Sequence, residues 1–168
     1  MALTTVPASM QTTDAQYTGF KNMMINGDMR VNQRGTVTGL GASPGQYGGP
    51  DRFGGHFSGL TTARYTASQD TSAPPGFSTS LKWQVTTADT LAAGDGRSIA
   101  QVIEASNMTH LAWGSSGASS ITMSFWVKTN VTGVYTVELY RANITAANAP
   151  ITVNAADTWE FKTVVIAL

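Results

Sequence analysis

Aromatic residues with polar neighbours are the feature of this sequence best suited to binding a ligand. Trp126 and Tyr140 fall at positions that alternation places opposite the predicted core, with Lys128 and Glu138 two residues away from them. Sugar rings present C–H faces that stack on Trp or Tyr, while their hydroxyl groups bond to neighbouring polar groups. These four residues therefore form a candidate glycan or protein contact. Each aromatic residue could instead pack beneath a loop or against another subunit, and both interpretations stay open.

Patterns that support catalysis or metal binding are weak. His56 and His110 do not form the H-x-x-x-H or H-E-x-x-H spacing of zinc sites, and the sequence has no G-x-S-x-G nucleophile elbow. The only glutamates are Glu104, Glu138 and Glu160, and the aspartates fall mainly at turn positions, where short carboxylates bond to the backbone. The sequence therefore predicts no catalytic residue, no cofactor and no metal site, and hence no enzymatic activity.

Charge and composition exclude several classes of partner. Ten basic and ten acidic residues cancel, and no run of Lys or Arg offers the basic patch of a nucleic-acid or anionic-membrane binder. The absence of cysteine excludes disulfides and thiolate metal sites. No stretch approaches the roughly 18 apolar residues of a membrane-spanning helix. We therefore expect neutral partners, without nucleic acid or membrane insertion.

The elements that must position the candidate residues are predicted to be β-strands. Charged residues make up only 12% of the chain, whereas threonine occurs 24 times and glycine 17 times. Threonine and the aromatic residues favour pleated strands, and glycine supplies tight turns. Connectors such as Gly94-Asp95-Gly96 separate short apolar segments. Eight or more such segments predict an all-β fold, an antiparallel jelly roll or β-sandwich.

Alternation assigns an inward face to each predicted strand. In residues 77–86 the expected inward residues are Phe77, Leu81, Trp83 and Val85. In three later segments they are Ile121, Met123, Phe125 and Val127; Tyr135, Val137 and Leu139; and Trp159, Phe161, Thr163 and Val165. Trp83 and Trp159 are thus expected in the core, with Trp126 outside it.

Residues 20–35 read F-K-N-M-M-I-N-G-D-M-R-V-N-Q-R-G. An apolar run meets Asn26-Gly27-Asp28, whose residue types tolerate positive φ, so the block predicts a strand, a turn and a strand. The block also resembles the opening of a family of bacteriophage appendage proteins, chiefly tail fibres, in which a short leader precedes a similar I-N-G-D-M-R-x-x-Q-R-G run.

Further blocks extend the resemblance. They are residues 50–53, 80–85, 99–104, 124–128 and 153–160, which are similar to blocks of carbohydrate-binding-module-like jelly rolls in phage appendages. In that family, sequence able to complete the sandwich usually follows the T-W-E-x-K-T-V block. The resemblance therefore implies that the jelly roll over residues 20–168 lacks its last strands, and that residues 1–19 form an extended docking leader.

The resemblance also implies a function. The chain would be a structural virion protein whose leader docks it to other virion proteins and whose jelly roll projects outward for host attachment. It would be made in the host cytoplasm, lie at the outer surface of the virion and form a homo-oligomer, a trimer by analogy with phage fibres. The alternatives are a capsid decoration or head-fibre protein, or a glycan-binding module that contacts host surface polysaccharide.

Overall fold

The computed structural model describes residues 22–43, 45–90, 92–141 and 144–167. The predicted leader, residues 1–19, lies outside the described residues. The strands are β1 (Val37–Leu40), β2 (Gln46–Tyr47), β3 (Phe53–Ser58), β4 (Arg64–Asp70), β5 (Ser80–Thr87), β6 (Gly96–Gln101), β7 (Ile121–Val127), β8 (Gly133–Arg141), β9 (Ile144–Val153) and β10 (Glu160–Ile166). A short helix, α1 (Ala105–Met108), and a 3-10 turn (Thr109–Leu111) follow β6. The strand pairings with an assigned register are antiparallel, which confirms the predicted all-β antiparallel class.

The described residues fall into two compact units. The first unit contains the described residues up to Asp70 together with Leu81–His110, and the second contains Thr71–Ser80 and the described residues from Leu111 onward. The sheets have the strand orders β1-β4-β5, β2-β3-β6, β10-β7 and β8-β9. Each unit has its own apolar cluster, and we describe the two units separately.

Aromatic packing joins the two sheets of the first unit. Phe57 on β3 stacks on Tyr65 of β4, with ring centroids 5.2 Å apart, and Trp83 of β5 lies against both rings. Gly55 allows this packing, because a Cβ atom there would come within 2.4 Å of the Phe57 ring and 2.6 Å of Trp83. The buried cluster consists of Leu40, Phe57, Ala63, Tyr65 and Ala67. The expected core position of Trp83 is thus confirmed.

The expected inward face of residues 77–86 is only half correct. Leu81 and Trp83 are half-buried, but Phe77 and Val85 are 45% and 58% exposed. Phe77 precedes β5 and lies in a turn in which its N–H donates to the carbonyl of Pro74 at 3.1 Å. Side chains alternate between two faces only within a strand, and Phe77 lies in a turn. The alternation therefore does not predict the exposure of Phe77.

The second unit contains two antiparallel ribbons, one in which β7 pairs with β10 and one in which β8 pairs with β9. Residues 128–132 and 154–159 connect the two ribbons and form the bend between them. The inward residues of both pairs meet in one cluster around Ile151, Val164 and Ile166. Members packed against it include Ile121, Met123, Phe125, Val127, Val137 and Leu139, as the alternation predicted. Tyr135 was predicted on the same inward face but is 39% exposed, and its hydroxyl donates to the Val131 carbonyl at 2.8 Å.

The predicted face of the last strand is wrong. Val164 and Ile166 are buried at 8% and 2% exposure, whereas Phe161 and Val165 are 56% and 64% exposed. Both faces of β10 carry apolar residues, so alternation alone does not determine which face is buried. The register with β7 determines it, because Val164 lies opposite the inward residue Met123, and residues directly opposite on paired strands share a face.

The block at residues 20–35 contains the predicted turn but neither predicted strand among its described residues, 22–35. The Met29 N–H donates to the Asn26 carbonyl at 3.0 Å, and both residues have positive φ. Side chains bond to the flanking backbone in place of a neighbouring strand. The Gln101 amide both donates to and accepts from the Ile25 backbone at 2.8 Å, and the Asn26 amide does the same for Val31 at 2.9 Å.

Candidate functional site

The outward side of the β7–β10 ribbon carries paired aromatic and hydroxyl side chains. Trp126 on β7 lies directly opposite Phe161 on β10, with ring centroids 5.3 Å apart and ring planes 54° apart. One step along the ribbon, Ser124 lies opposite Thr163 and their hydroxyl oxygens are 3.0 Å apart. Both pairs alternate with the core-facing residues and therefore point away from the core.

A cation and a second indole extend this surface toward the bend of the ribbon. Lys128 follows β7, and its Nζ lies 5.2 Å from the centre of the Trp159 ring. The same Nζ donates a hydrogen bond to the Ser72 hydroxyl at 2.6 Å. A lysine over an indole face is a favourable cation–π contact. We call the surface formed by Ser124, Trp126, Lys128, Trp159, Phe161 and Thr163 the aromatic strip.

The aromatic strip is open to solvent. Phe161 is 56% exposed, the neighbouring Val165 on the same side of β10 is 64% exposed, and Trp126 and Trp159 are half-buried. Exposed apolar side chains that lie together, flanked by polar ones, are typical of a contact surface. Isolated exposed apolar residues carry no such meaning.

A carboxylate at the start of β10 fixes the loop that carries Trp159. Glu160 accepts hydrogen bonds from the backbone N–H groups of Asn154 at 2.9 Å and Ala155 at 2.8 Å, and from Lys162 Nζ at 2.5 Å. These contacts lower the pKa of Glu160 to about 2, and the hydrogen bond from Lys162 has the largest effect. The loop is also tied to the end of β7, because Asp157 N–H donates to the Thr129 carbonyl at 2.8 Å. Trp159 is therefore held next to Lys128 by bonds within the bend.

The chemistry of the aromatic strip suits an uncharged ligand rich in hydroxyl groups. Ring faces offer C–H stacking, and the Ser124 and Thr163 hydroxyls both donate and accept hydrogen bonds. The one cation, Lys128, is already engaged by Trp159 and Ser72. A strongly anionic ligand would have no further cation to pair with among these six side chains.

The four residues predicted as a contact fall on two different sheets. Trp126 and Lys128 belong to the aromatic strip, whereas Glu138 and Tyr140 lie on β8, with Tyr140 69% exposed. Among the described residues, no hydrogen bond, ion pair or ring contact joins either residue of β8 to Trp126 or Lys128. The ribbon supplies Phe161 and Trp159 as partners instead.

Sequence reasoning missed Phe161 and Trp159 because it placed both on the inward face of the last strand. Residue types alone give no signal that places them, because both faces of the last strand carry apolar residues. The observed register with β7 puts Phe161 opposite Trp126.

Three carboxylates with shifted pKa values lie in structural contacts. The Asp89 carboxylate accepts backbone hydrogen bonds from Thr62 at 2.9 Å and from Ala63 and Thr61 at 3.1 Å, and these lower its pKa. A hydrogen bond from Arg52 lowers the pKa of Glu104. With Glu160, all three are therefore held in the ionised form.

No three His, Asp or Glu side chains among the described residues lie close enough together to hold a metal ion. No helix in the same part of the chain is long and apolar enough to cross a membrane.

Comparison of the chain with protein-family models, with curated proteins and with solved structures gave no match.

Proposed function

We propose that this protein is a non-enzymatic appendage on the outer surface of a bacteriophage virion, of the tail-fibre kind, and that the aromatic strip contacts a host surface polysaccharide. The main observation in favour of a polysaccharide contact is the pairing of Trp126 with Phe161 beside the Ser124–Thr163 hydroxyl pair on an exposed strand surface. The resemblance of residues 20–35 to phage appendage proteins supports the proposed location on a phage virion.

The β-rich architecture supports a structural role. The described strands form antiparallel pairs, and the described part of the block at residues 20–35 is anchored by side chains of the first unit. Gln69 donates to the Met29 carbonyl at 2.6 Å, and Gln101 holds Ile25. A leader that docks to the particle would thus continue into a firmly attached segment. In this proposal the chains assemble as a homotrimer.

The ionisation of the carboxylates supports a non-catalytic role. A glycosidase needs one carboxyl group whose pKa is raised, so that it can protonate the leaving oxygen. Where a shift is resolved among the described carboxyl groups, at Asp89, Glu104 and Glu160, the pKa is lowered. These three groups are therefore suited to holding loops rather than to donating protons.

Glycan-array binding by the intact chain tests the contact. Trp126→Ala and Phe161→Ala should each weaken binding to the recognised polysaccharide about fivefold or more, since stacking of an aromatic ring is worth about 1 kcal/mol and each ring packs against the other. Tyr140→Ala is the control, because it removes an exposed aromatic ring from a different sheet and should leave binding unchanged. Equal effects of all three variants would contradict the assignment to the aromatic strip.

Immunogold labelling of purified phage particles tests the proposed location of the protein on the tail fibres. Antibodies against the chain should label the tail fibres, and deletion of residues 1–19 should remove the label while the purified chain keeps its strand content. Label on the capsid would favour the decoration alternative. A leader-deleted chain that still assembles normally into particles would contradict the docking role.

A further inference from the structure

The first unit contains a cavity of about 370 Å³. Its lining includes Arg34, Tyr47, Asp51, Arg52, Val102 and Glu104. The volume falls at the small end of the range for ligand pockets, roughly 300 to 1,000 Å³, and so suits a short ligand. The residues come from the loop before β1, from β2, from the turn before β3 and from the segment after β6.

The charges around this cavity balance. Arg52 Nη2 lies 2.6 Å from Glu104 Oε1, and Arg34 Nη1 lies 3.6 Å from Asp51 Oδ1. An anionic ligand would meet two carboxylates, and a cationic ligand would meet two guanidinium groups. The electrostatics therefore favour a polar ligand without net charge.

Hydrogen-bonding capacity remains on the lining side chains. The Arg34–Asp51 separation is longer than the 2.7–3.2 Å of a good N–H···O bond, and the Arg34 side chain is 53% exposed. The buried Nε of Arg52 has no hydrogen-bond partner among the described residues. An unsatisfied buried donor is costly, and an oxygen atom of a ligand could pair with it.

An aromatic wall completes the cavity. Tyr47 is 48% exposed, and the Arg34 guanidinium lies 5.8 Å from the centre of its ring. Gly54 on the neighbouring strand leaves room for the ring, because a Cβ atom there would come within 3.2 Å of it. Arg52 is held at φ 77°, a conformation that costs free energy for a residue with a side chain and that often occurs at binding sites.

We propose that this cavity binds a neutral saccharide unit, stacked on Tyr47, with Asp51 and Glu104 accepting hydrogen bonds from its hydroxyl groups and Arg34 donating to them. The observations that support it are confined to the first unit and do not depend on the proposed virion function. A chain with no role in a virion could still have this site.

Ligand-observed NMR titration of the full chain with the methyl glycosides of glucose, galactose and N-acetylglucosamine tests the proposal, with glucuronate as a charged comparison. At least one neutral glycoside should bind saturably and glucuronate should bind more weakly. Arg34→Gln should weaken binding about tenfold, the expected loss for a hydrogen bond to a charged group. Lys82→Gln is the matched control, because Lys82 is 52% exposed and forms a comparable 3.4 Å ion pair with Asp70 that does not line the cavity.

Four outcomes would overturn the proposal: no saturable binding of any neutral glycoside, a preference for glucuronate, unchanged affinity of Arg34→Gln, or equal losses for Arg34→Gln and Lys82→Gln. Thermal melting of each variant identifies any that fails to fold. If Arg34→Gln fails to fold, Glu104→Gln, which keeps the side-chain shape, is measured in its place and should weaken binding. Phe161→Ala separates the two proposals. Loss of glycoside binding in that variant alone would assign the sugar to the aromatic strip, and unchanged binding would support the cavity.

Discussion

At the scale of single residues, two carboxylates act as clamps on loop backbone. Asp89 receives the N–H groups of residues 61–63, and Glu160 receives those of Asn154 and Ala155. Three or more hydrogen bonds to one carboxylate stabilise its charged form and lower its pKa. The position of Trp159 in the aromatic strip therefore depends on the ionisation of its neighbour Glu160.

The pH dependence of stability should report the Glu160 clamp. Because its pKa falls from 4.5 to about 2 on folding, the stabilisation is fully present above about pH 4.5 and is lost as the pH falls through about 2. Glu160→Gln should melt at a lower temperature than the wild type at pH 7, and the gap should narrow as the pH is lowered from about 4.5 to 2. Glu138→Gln is the control and should follow the wild type. A gap that does not change with pH would contradict the clamp.

Residue types alone are sufficient to predict part of the aromatic strip. The alternation of Ile121, Met123, Phe125 and Val127 puts Trp126 and Lys128 on the outward side. Phe161 and Trp159 could not be placed in this way, since β10 has apolar residues at both odd and even positions. Nor does the sequence show that Lys162 and two backbone N–H groups converge on Glu160, because those contacts arise from the bend of the ribbon.

At the scale of elements, register decides which face of a strand is buried. Val164 and Val165 are adjacent residues of the same type, yet Val164 is 8% exposed and Val165 is 64% exposed. Alternation permits either assignment, and only pairing with β7 selects one. The same limit applies to residues 22–35, where side-chain hydrogen bonds replaced the expected strand pairing.

Paired alanine substitutions in β10 test this register. Val164→Ala should lower the free energy of unfolding by about 2 kcal/mol, from lost burial and the cavity left behind. Val165→Ala should change it by less than about 0.5 kcal/mol, as is usual at exposed positions. Urea unfolding followed by tryptophan fluorescence measures both. The reverse order would support the face assigned from alternation and contradict the observed register.

The aromatic packing of the first unit makes a further test at this scale. Gly55→Ala should destabilise the protein by about 1–3 kcal/mol, because the added methyl group would overlap the rings of Phe57 and Trp83. Gly27→Ala is the control, since no atom lies within 4 Å of a Cβ atom built there. Urea unfolding compares the two variants. Equal stabilities would mean that the rings can move aside without loss of packing.

At the scale of the whole molecule, composition and turn residues were sufficient to predict the all-β antiparallel class. They were not sufficient to predict two units with separate apolar clusters, because the partners in each cluster lie far apart in the sequence. Phe57 packs against Trp83, and Ile121 packs in the cluster of Ile166. Such contacts depend on which strands pair and in which register, and residue types taken one at a time do not determine either.

The proposed function includes assembly as a trimer, and a trimer should bind polysaccharide through several copies of the aromatic strip at once. A trimer would present three aromatic strips, and simultaneous engagement of a repetitive polysaccharide raises the apparent affinity by about 10² to 10⁴ over a single contact without any new interaction. Native mass spectrometry of the full chain should therefore show a trimer. Its Kd for immobilised polysaccharide should be at least about 100-fold lower than for a short oligosaccharide of the same repeat, and Trp126→Ala should weaken polysaccharide binding more than oligosaccharide binding. Equal affinities for the two ligands, or a monomer at working concentration, would contradict multivalent attachment even if the aromatic strip binds sugar.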